Sequence, residues 1–329
     1  MDKPLGTLQV DVDDLWVYYE SIGRATPPDV AAAAFTQGVP RLLDLFDRYA
    51  ARATFFVCGR DLPAQAEMVA EMTRRGHEVA NHSAAHRNGY ARLSRAELRA
   101  DVLAAHERIA AAAGRPPAGF KAPGFSFNRH LPGVLAELGY RYDSSILPTF
   151  YAPLLRLLQR ALSGGHVDPT HYGRWVYGFR PLRPFRLQVE RLQVTGYGSQ
   201  VADFAAGESS AAANLQPSTF EHSNLQPLWE SPVTTMPLLR LPMHSTFVLS
   251  AGRWLFDAGL GLARTRGVPV NYLLHAGDVV DAVADPALAS YRFLVQPWAE
   301  RRPLYEHMLA RLSDAYQLVP TQEFVCARP

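Results

Sequence analysis

The feature that most constrains the fold is an alternation of short apolar β-type runs with helical periodicity across the first 145 residues. Residues 8–12 and 53–57 are predicted strands, and apolar residues recur at the helical period across 39–49 between them. Further elements are predicted as helices at 62–74 and 131–138, a long helix opened by the Ser94–Glu97 capping box, and strands at 77–80, 119–121 and 140–142. Such alternation is typical of a parallel sheet, either open or closed into a barrel, and the chain is therefore predicted to be α/β.

The alternation stops after residue 145 and predicts an insertion at 146–235 within a single domain that spans 1–329. Residues 150–187 are rich in arginine and aromatic residues, a composition that suits lipid phosphates and the headgroup layer of a membrane. A lid that faces the protein is the other open interpretation. Residues 195–230 lack any period and are predicted to be flexible. Regular structure is expected again at 238–241, 254–264, 268–274 and 303–315.

The charge and cysteine counts narrow the class of protein. Lys and Arg together number 33 against 31 Asp and Glu, a balance that excludes a dedicated nucleic-acid binder. The two cysteines, Cys58 and Cys326, are too few for a disulfide framework, as a reducing compartment allows. No secretory leader and no apolar run of about 18 residues is present. We therefore expect a cytoplasmic protein that lies at most on the inner face of a membrane.

Three acidic residues stand at the end of the first predicted strand, in the order Asp11-Val12-Asp13-Asp14. Side chains alternate along a strand, so Asp11 and Asp13 should share one face while Asp14 points away. Two carboxylates at such a short distance repel each other, and a metal ion or a shared proton would relieve the repulsion. The alternative is an acidic loop start that only caps the next turn.

His82 and His86 lie four residues apart, close enough to bind one ion if this stretch makes a helical turn. Two histidines supply only two ligands, whereas a catalytic zinc usually takes three from the protein. A carboxylate such as Asp13, on a neighbouring strand end, would complete the set. Surface histidines that cap a loop are the alternative.

Polar residues also end later predicted strands. His275 follows the apolar run 272–274 at the sheet edge where α/β sites are assembled, although a core histidine with a satisfied hydrogen bond is an alternative. Asp143 and Lys121 likewise stand at strand ends. Gly124 follows a proline and would either direct a backbone N–H toward an oxyanion or form a plain tight turn.

Together, the patterns D-x-D, H-x-x-x-H, K-x-P-G, Y-D-S-S and L-L-H resemble, in this order, those of the polysaccharide deacetylase family, also called the NodB-homology or carbohydrate esterase 4 family. The resemblance covers residues 5–145 and 235–325. It implies a distorted (β/α) barrel that binds one divalent metal ion, zinc or else cobalt or manganese. It further implies hydrolysis of an N-acyl or O-acyl group on a sugar, with an acylated amino sugar as the expected substrate.

The same resemblance implies roles for the acids and the histidine pair. Asp11 matches the general base, and Asp13 matches the metal ligand that joins His82 and His86. Other members carry adjacent acids, so Asp13 with Asp14 remains an open alternative to the pair Asp11 and Asp13.

The remaining roles implied by the resemblance concern the leaving group and the oxyanion. His275 matches the general acid, Asp143 the carboxylate that orients it, and Gly124 the oxyanion-binding amide. Lys121 stands where the family usually has an arginine that steadies the base. Lysine keeps the positive charge but loses the planar fork of arginine.

A looser resemblance links the chain to a cytoplasmic-type subgroup that includes the lipid-linked formamido-arabinose deformylase. It is carried by D-V-D, by G-V-P-R-L-L at 38–43 and by the arginine-rich insertion. It implies a lipid-linked or nucleotide-linked amino sugar that carries acetyl or formyl. The alternatives are a sugar O-acyl esterase and a non-catalytic sugar-binding protein of the same fold. A nicotinamide dehydrogenase is disfavoured because no G-x-G-x-x-G follows the first strand.

Overall fold

The structure is a computed structural model that describes residues 3–162, 168–189 and 226–327. Within these residues the chain forms nine strands: β1 Leu5–Val12, β2 Ala53–Val57, β3 Glu78–Asn81, β4 Gly119–Phe120, β5 Tyr142–Asp143, β6 Phe185–Arg186, β7 Trp229–Glu230, β8 Asn271–His275 and β9 Gln317–Leu318. They form one sheet in the order β6-β7-β5-β4-β3-β2-β1-β8, and β9 pairs with the start of β1. All of these pairings are parallel except that of β6 with β7, which is antiparallel.

The helices connect successive strands, as the alternation in the sequence predicts. They are α1 Leu15–Ser21, α2 Val39–Arg48, α3 Ala66–Arg74, α4 Arg95–Ala113, α5 Leu131–Glu137, α6 Ala152–Leu162, α7 Ser245–Ala251, α8 Arg253–Thr265, α9 Arg292–Val295, α10 Trp298–Ala315 and α11 Thr321–Cys326. The predicted capping box is present at the start of α4, where Ser94 and Glu97 exchange hydrogen bonds. In the described ranges, no helix is both long enough and apolar enough to cross a membrane.

The sheet curls into a half-barrel, which confirms the predicted α/β architecture with a parallel sheet. Its edges are β6 and β8, and within the described part of the chain no pairing joins these two strands. The barrel is therefore open on this side. The carboxyl ends of the parallel strands β1, β2, β3, β4 and β8 all meet at one rim.

Strand β1 shows how the two faces of the sheet differ. Leu8, Val10 and Val12 alternate onto one face and are fully buried in the main apolar core. Gln9 and Asp11 face the other side, where Gln9 Oε1 accepts a hydrogen bond from the Ser144 hydroxyl at 3.0 Å. The concave face of the half-barrel is thus partly polar, and its polar side chains continue up to the rim.

One glycine fixes how the rim is assembled. Gly38 lies at the start of α2, and a Cβ atom there would come within 2.3 Å of the Ala276 carbonyl oxygen. Only a residue without a side chain allows this close approach of two backbones. The turn that follows β8, which carries His275, therefore packs directly against the start of α2.

The insertion differs in part from the prediction. Residues 190–225, most of the stretch predicted to be flexible at 195–230, lie outside the described residues. Its end, however, is ordered in the sheet, because Trp229 and Glu230 form β7 and pair with β5. The prediction of flexibility for 226–230 is therefore wrong. Residues 238–241, where regular structure is expected, do not form a strand but lie in a turn between Thr235 and Pro242, which form an isolated bridge.

Candidate active site

Three ligand-type side chains converge at the rim, as the sequence predicts. Asp13 Oδ1 lies 3.3 Å from His82 Nε2 and 3.6 Å from His86 Nε2. The three ligand atoms all fall within 4.8 Å of one another, and Asp13 and His82 are almost completely buried. The grouping of one carboxylate and two imidazoles is the donor set of a catalytic zinc site with an open position.

The two histidines meet through a loop instead of a helical turn. Ser83 and His86 both adopt left-handed backbone conformations, with φ of 71° and 46°. Local hydrogen bonds hold this shape: the Ser83 N–H donates to Asn81 Oδ1 at 2.8 Å, and the His86 N–H donates to Ser83 Oγ at 2.9 Å. The two histidines therefore converge without the helical turn that the spacing argument assumed.

The surroundings of the cluster fit a metal ion. His82 Nδ1 donates to the Lys121 carbonyl oxygen at 2.8 Å, which leaves the lone pair on Nε2 directed at Asp13. Burial lowers the pKa of His86 to about 4, so that this imidazole is neutral at physiological pH. Among the described residues, Asp13 Oδ1 is buried and has no hydrogen-bond partner. A buried carboxylate oxygen without a donor costs free energy that a bound cation would recover.

Asp14, unlike Asp11 and Asp13, caps a helix. Its side chain caps α1, since Oδ1 accepts hydrogen bonds from the backbone N–H groups of Leu15 at 2.8 Å and Ala34 at 3.2 Å. Burial raises the pKa of Asp14 to about 6. The carboxylates that face the site are Asp11 and Asp13, as strand alternation predicts, and the alternative pair of Asp13 with Asp14 is not formed.

Asp11 is held by a buried cation. The Lys121 ammonium group lies 2.6 Å from Asp11 Oδ1, and both side chains are almost fully buried. The Lys121 Nζ atom also sits 4.3 Å from the centre of the Phe56 ring. Burial lowers the pKa of Lys121, and the adjacent carboxylate opposes that shift. The lysine that replaces the family's usual arginine therefore contacts the predicted base through a single ammonium group.

The predicted pairing of Asp143 with His275 is not formed among the described residues. Asp143 accepts a hydrogen bond from Ser145 Oγ at 2.5 Å and lies against Glu230 on the neighbouring strand β7. Burial raises the pKa of Asp143 to about 7, and burial together with Asp143 raises the pKa of Glu230 well above its usual value. Asp143 belongs to a buried carboxyl pair behind Lys121, on the opposite side of β1 from β8 in the strand order.

The carboxylate beside His275 is Asp278. Asp278 Oδ2 lies 3.7 Å from His275 Nδ1, and Thr246 Oγ1 lies 3.2 Å from the same nitrogen. Burial alone would lower the pKa of His275, but Asp278, together with the charges of Asp11 and Asp13, raises it to about 9. His275 is therefore protonated at neutral pH, as a general acid must be.

Gly124 lies at the rim with φ of 56°, in the left-handed region that favours glycine. A Cβ atom at Gly124 would come within 2.4 Å of the imidazole of His171, so that ring covers the position where a side chain would be. His171 comes from the insertion, whose segment from Asp168 to Tyr172 binds back onto the rim. The Tyr172 N–H donates to the Gly124 carbonyl oxygen at 2.8 Å, and the Gly89 N–H donates to Asp168 Oδ2 at 2.7 Å.

Two further histidines of the site were not found from the sequence. Burial lowers the pKa of His171, and this ring is close enough to Asp13 and His86 to interact electrostatically with both. His244 is buried with its ring centre 5.6 Å from that of His275, and neither of its nitrogens has a hydrogen-bond partner in the described chain. Neither residue ends a predicted strand, so no local pattern points to it. Asp278 stands three residues after His275 in the same turn, a spacing that marks it as a second candidate beside Asp143.

A match to a known protein family covers part of the chain. Residues 24–142 match the family described as Polysaccharide deacetylase. The polysaccharide deacetylase match includes His82, His86, Lys121 and Gly124, whereas Asp11, Asp13 and His275 lie outside it. These last residues join the matched segment only through the sheet, because β1 pairs with both β2 and β8.

Two curated relatives match shorter stretches. The chain is 32% identical over 148 residues to a peptidoglycan deacetylase of Helicobacter pylori (strain ATCC 700392 / 26695), covering 44% of this chain and 50% of that protein. It is 38% identical over 73 residues to a chitooligosaccharide deacetylase of Bradyrhizobium sp. (strain ANU 289), covering 22% of this chain and 33% of that protein. The chain thus spans half or less of the length of these two relatives.

The whole fold resembles that of a solved structure. A polysaccharide deacetylase structure from Mycobacterium smegmatis, described as putative in its name, superposes with a TM-score of 0.60 and covers 99% of this chain and 90% of that one. The sequence identity is 19%, so this similarity concerns the fold alone. The family match therefore concerns residues 24–142 and the structural similarity concerns the fold, while the resemblance to the formamido-arabinose deformylase stays a prediction.

Proposed function

We propose that this protein is a metal-dependent hydrolase that removes an N-acyl group, acetyl or formyl, from an amino sugar carried on a lipid or a nucleotide. The observation that carries the proposal is the cluster of Asp13, His82 and His86 beside the buried pair of Asp11 and Lys121. The relatives named above as deacetylases support the class of reaction.

Each residue of the candidate active site has its own role in amide hydrolysis. A divalent ion held by Asp13, His82 and His86, with zinc, cobalt or manganese as the fitting metals, would supply Lewis-acid chemistry and make water a better nucleophile near neutral pH. Asp11, fixed by Lys121, accepts the proton of the attacking water as general base. The backbone N–H of Gly124 donates to the oxyanion, a contribution that is typically worth about 3 kcal/mol per donor.

His275 supplies the proton that the leaving amine needs. An amine is a poor leaving group unless it is protonated, so an acid that keeps its proton at neutral pH favours amide over ester cleavage. Asp278 is the residue that keeps it protonated, by its position next to Nδ1. This supports an N-acyl substrate in preference to the O-acyl alternative.

The Asp278→Asn variant is expected to narrow the pH range of activity from its alkaline side. Asp278 raises the pKa of His275 to about 9, and removing its charge lowers that pKa, so the acid form is lost at a lower pH. The alkaline limb of kcat/KM should move down by about one pH unit or more, since a carboxylate within a few ångströms shifts a pKa by 1–3 units. A pH profile checks this, with Asp281→Asn, an exposed acid three residues later, as control. An alkaline limb that stays in place would assign the general acid elsewhere.

The proposed function is tested by mass spectrometry of acyl release. The substrates are acetamido and formamido sugars, offered free, nucleotide-linked and lipid-linked, together with an N-acetylated chito-oligosaccharide. We expect release from at least one carrier-linked sugar by the metal-loaded protein and none by Asp11→Asn, whose side chain cannot act as base. No release from any member of the panel by the metal-loaded protein would reject the proposal.

We also propose that the insertion lies on an anionic membrane surface, and the reversed polarity of α6 supports this. Leu154, Leu157 and Leu158 form one helical face and are 59%, 64% and 54% exposed. The opposite, polar face packs inward, where Arg156 donates to backbone carbonyls of the insertion and Gln159 contacts His171. A helix with its apolar face outward gains free energy when a lipid surface covers that face.

The exposed apolar surface continues at Phe179, whose ring centre lies 5.0 Å from that of Phe150, just before α6. Phe179 is 72% exposed, and its ring centre lies 6.1 Å from that of the exposed Trp175. The Arg240 guanidinium donates to the Arg180 carbonyl oxygen at 3.0 Å, which brings the exposed turn at Leu238 and Leu239 to the same region. Apolar side chains bordered by arginines complement an anionic bilayer in both polarity and charge.

The double variant Leu157→Glu/Phe179→Glu is expected to reduce binding to phosphatidylglycerol liposomes by about tenfold or more, because each buried large side chain contributes roughly 1.5–3 kcal/mol. Flotation measures the bound fraction. Trp254→Glu is the matched control, since Trp254 is 61% exposed but lies at the start of α8, outside the insertion. Equal flotation of all three proteins, or no flotation of the wild type, would reject the membrane proposal.

A further inference from the structure

An open cleft of about 1000 Å³ lies beside the insertion, and arginine dominates its lining. Six arginines reach it from α4 and the turn before it, from the turn before α5, and from the insertion: Arg92, Arg95, Arg129, Arg156, Arg174 and Arg180. Among the described residues of the lining, Glu97 is the one acidic side chain, and it is engaged in the capping box of α4. The cleft therefore holds a large excess of positive charge.

Two of these cations are held by the protein itself. Arg95 forms a salt bridge with Glu137. Arg156 donates to the carbonyl oxygens of His171 and Gly173, at 2.7 Å each, and so fixes the segment that covers Gly124. Their charges contribute to the positive potential of the cleft, but their side chains already bind groups of the protein.

The other four have no carboxylate partner within the described residues. The side chains of Arg92 and Arg174 are exposed, and their guanidinium groups make no hydrogen bond or ion pair with the described residues. Arg129 donates to His130 Nε2 at 3.1 Å, and Arg180 packs on the ring of Phe185. Several unpaired guanidinium groups around one cleft repel each other, and a bound anion relieves that repulsion through charge-assisted, bidentate hydrogen bonds.

The cleft adjoins the candidate active site through a single short segment. Thr170 and Gly173 line the cleft, while His171, between them, contacts Gly124 at the rim. The Ser126 and Thr170 hydroxyl groups are hydrogen-bonded to each other, which ties the same segment to the turn after Gly124. The cleft and the rim at Gly124 are therefore separated by this one segment.

We propose that this cleft binds the phosphate or diphosphate group that links the amino sugar to its carrier. The inference rests on the proposed function for the sugar end of the substrate and assigns the anionic end to Arg92 and Arg174, with Arg129 and Arg180 beside them. Guanidinium groups match the geometry of phosphate oxygens, and Trp175, which also lines the cleft, adds an apolar surface for the carrier.

Binding of inorganic pyrophosphate, measured by isothermal titration calorimetry, tests the site without any turnover. We expect the double variant Arg92→Gln/Arg174→Gln to bind pyrophosphate at least about tenfold more weakly than the wild type, because hydrogen bonds to charged groups are the strong class. Arg264→Gln is the matched control, since Arg264 interacts with Tyr316, which packs against Gly6 at the opposite end of β1. Equal affinity in all three proteins, or no binding to the wild type, would overturn the proposal.

Kinetics separates this proposal from the proposed function. With a carrier-linked sugar the double variant should show KM raised by about tenfold or more and kcat little changed, whereas KM for the same free N-acyl sugar should not change. A nucleoside-diphosphate-linked and a prenyl-diphosphate-linked substrate distinguish the two carriers. Equal KM changes for free and linked sugars would overturn the anion site while the hydrolase remains. Pyrophosphate binding that the double variant loses, without acyl release by the wild type, would keep the anion site and reject the hydrolase.

Discussion

His82→Ala should lose the metal ion that the wild-type chain is proposed to bind. Substitution of residues that only support metal ligands typically costs 10–100-fold in metal affinity, so removal of a ligand should cost more than about 100-fold. The loss is expected because His82 Nε2 and Asp13 Oδ1 face each other at 3.3 Å in a buried pocket, with no other histidine or carboxylate of the described chain grouped with them except His86. Acyl release should fall to background for the same reason.

Metal content gives a readout that does not depend on activity. The protein is equilibrated with zinc, dialysed against a metal buffer and analysed by mass spectrometry of the metal, with a competition titration for affinity. His307→Ala is the control, because His307 pairs with Asp257 near the surface and belongs to no ligand cluster. We expect one zinc per chain in the wild type and in His307→Ala. One tightly held zinc in His82→Ala would place the metal elsewhere and remove the basis of the proposed function.

Lys121→Met should lower the free energy of unfolding by about 3–5 kcal/mol, the usual cost of leaving one partner of a buried ion pair alone. Lys121 and Asp11 lie 2.6 Å apart, with side-chain exposures of 1% and 7%, so water cannot replace the missing ammonium group. Methionine is close to lysine in length and leaves no large cavity, which isolates the effect of the charge. Urea unfolding followed by circular dichroism measures the change.

Two further variants make the result specific. Lys3→Met changes the one other lysine of the chain, which is exposed and donates to the Ser313 carbonyl oxygen, and it should cost less than about 1 kcal/mol. Asp11→Asn combined with Lys121→Met should recover part of the loss, because no unpaired charge remains in the core. Unfolding of Lys121→Met at the wild-type urea concentration would show that the pair does not stabilise the folded rim.

Much of the site was predictable because its residues follow local patterns. Asp11, Asp13 and His275 each end a parallel strand, and parallel strands bring their carboxyl ends to one rim whatever the details of packing. Strand alternation alone separates Asp13 from Asp14, and the structure agrees, since Asp14 caps α1. These predictions needed only the period of a strand and the direction of the sheet.

The predictions that failed concern contacts between residues far apart in the sequence. Family resemblance assigned Asp143 to His275, but Asp143 lies on β5, next to Glu230 of the insertion, and Asp278 sits in the turn after β8. The segment containing Glu230 lacks a period, so it was predicted to be flexible, yet pairing with β5 orders its end. A two-residue strand has too few residues to show alternation, and only its neighbour determines it.

Which face of α6 packs against the protein is also decided by tertiary contacts. The helix is amphipathic, and an amphipathic helix in a globular protein usually turns its apolar face inward. Here Arg156 and Gln159 face the protein because they contact the segment around His171, and the leucines face outward. The sequence shows that two faces exist, but it does not show which of them meets the core.

By itself, therefore, the amino-acid sequence determined the parallel α/β architecture and placed Asp11, Asp13 and His275 at one rim, because strand periodicity and chain direction are local properties. The tertiary structure alone decided that Glu230 accompanies Asp143 and that His171 covers Gly124. Both contacts join residues that are far apart in the sequence. They form only because burial of the apolar core brings the two surfaces together, so no local pattern predicts them.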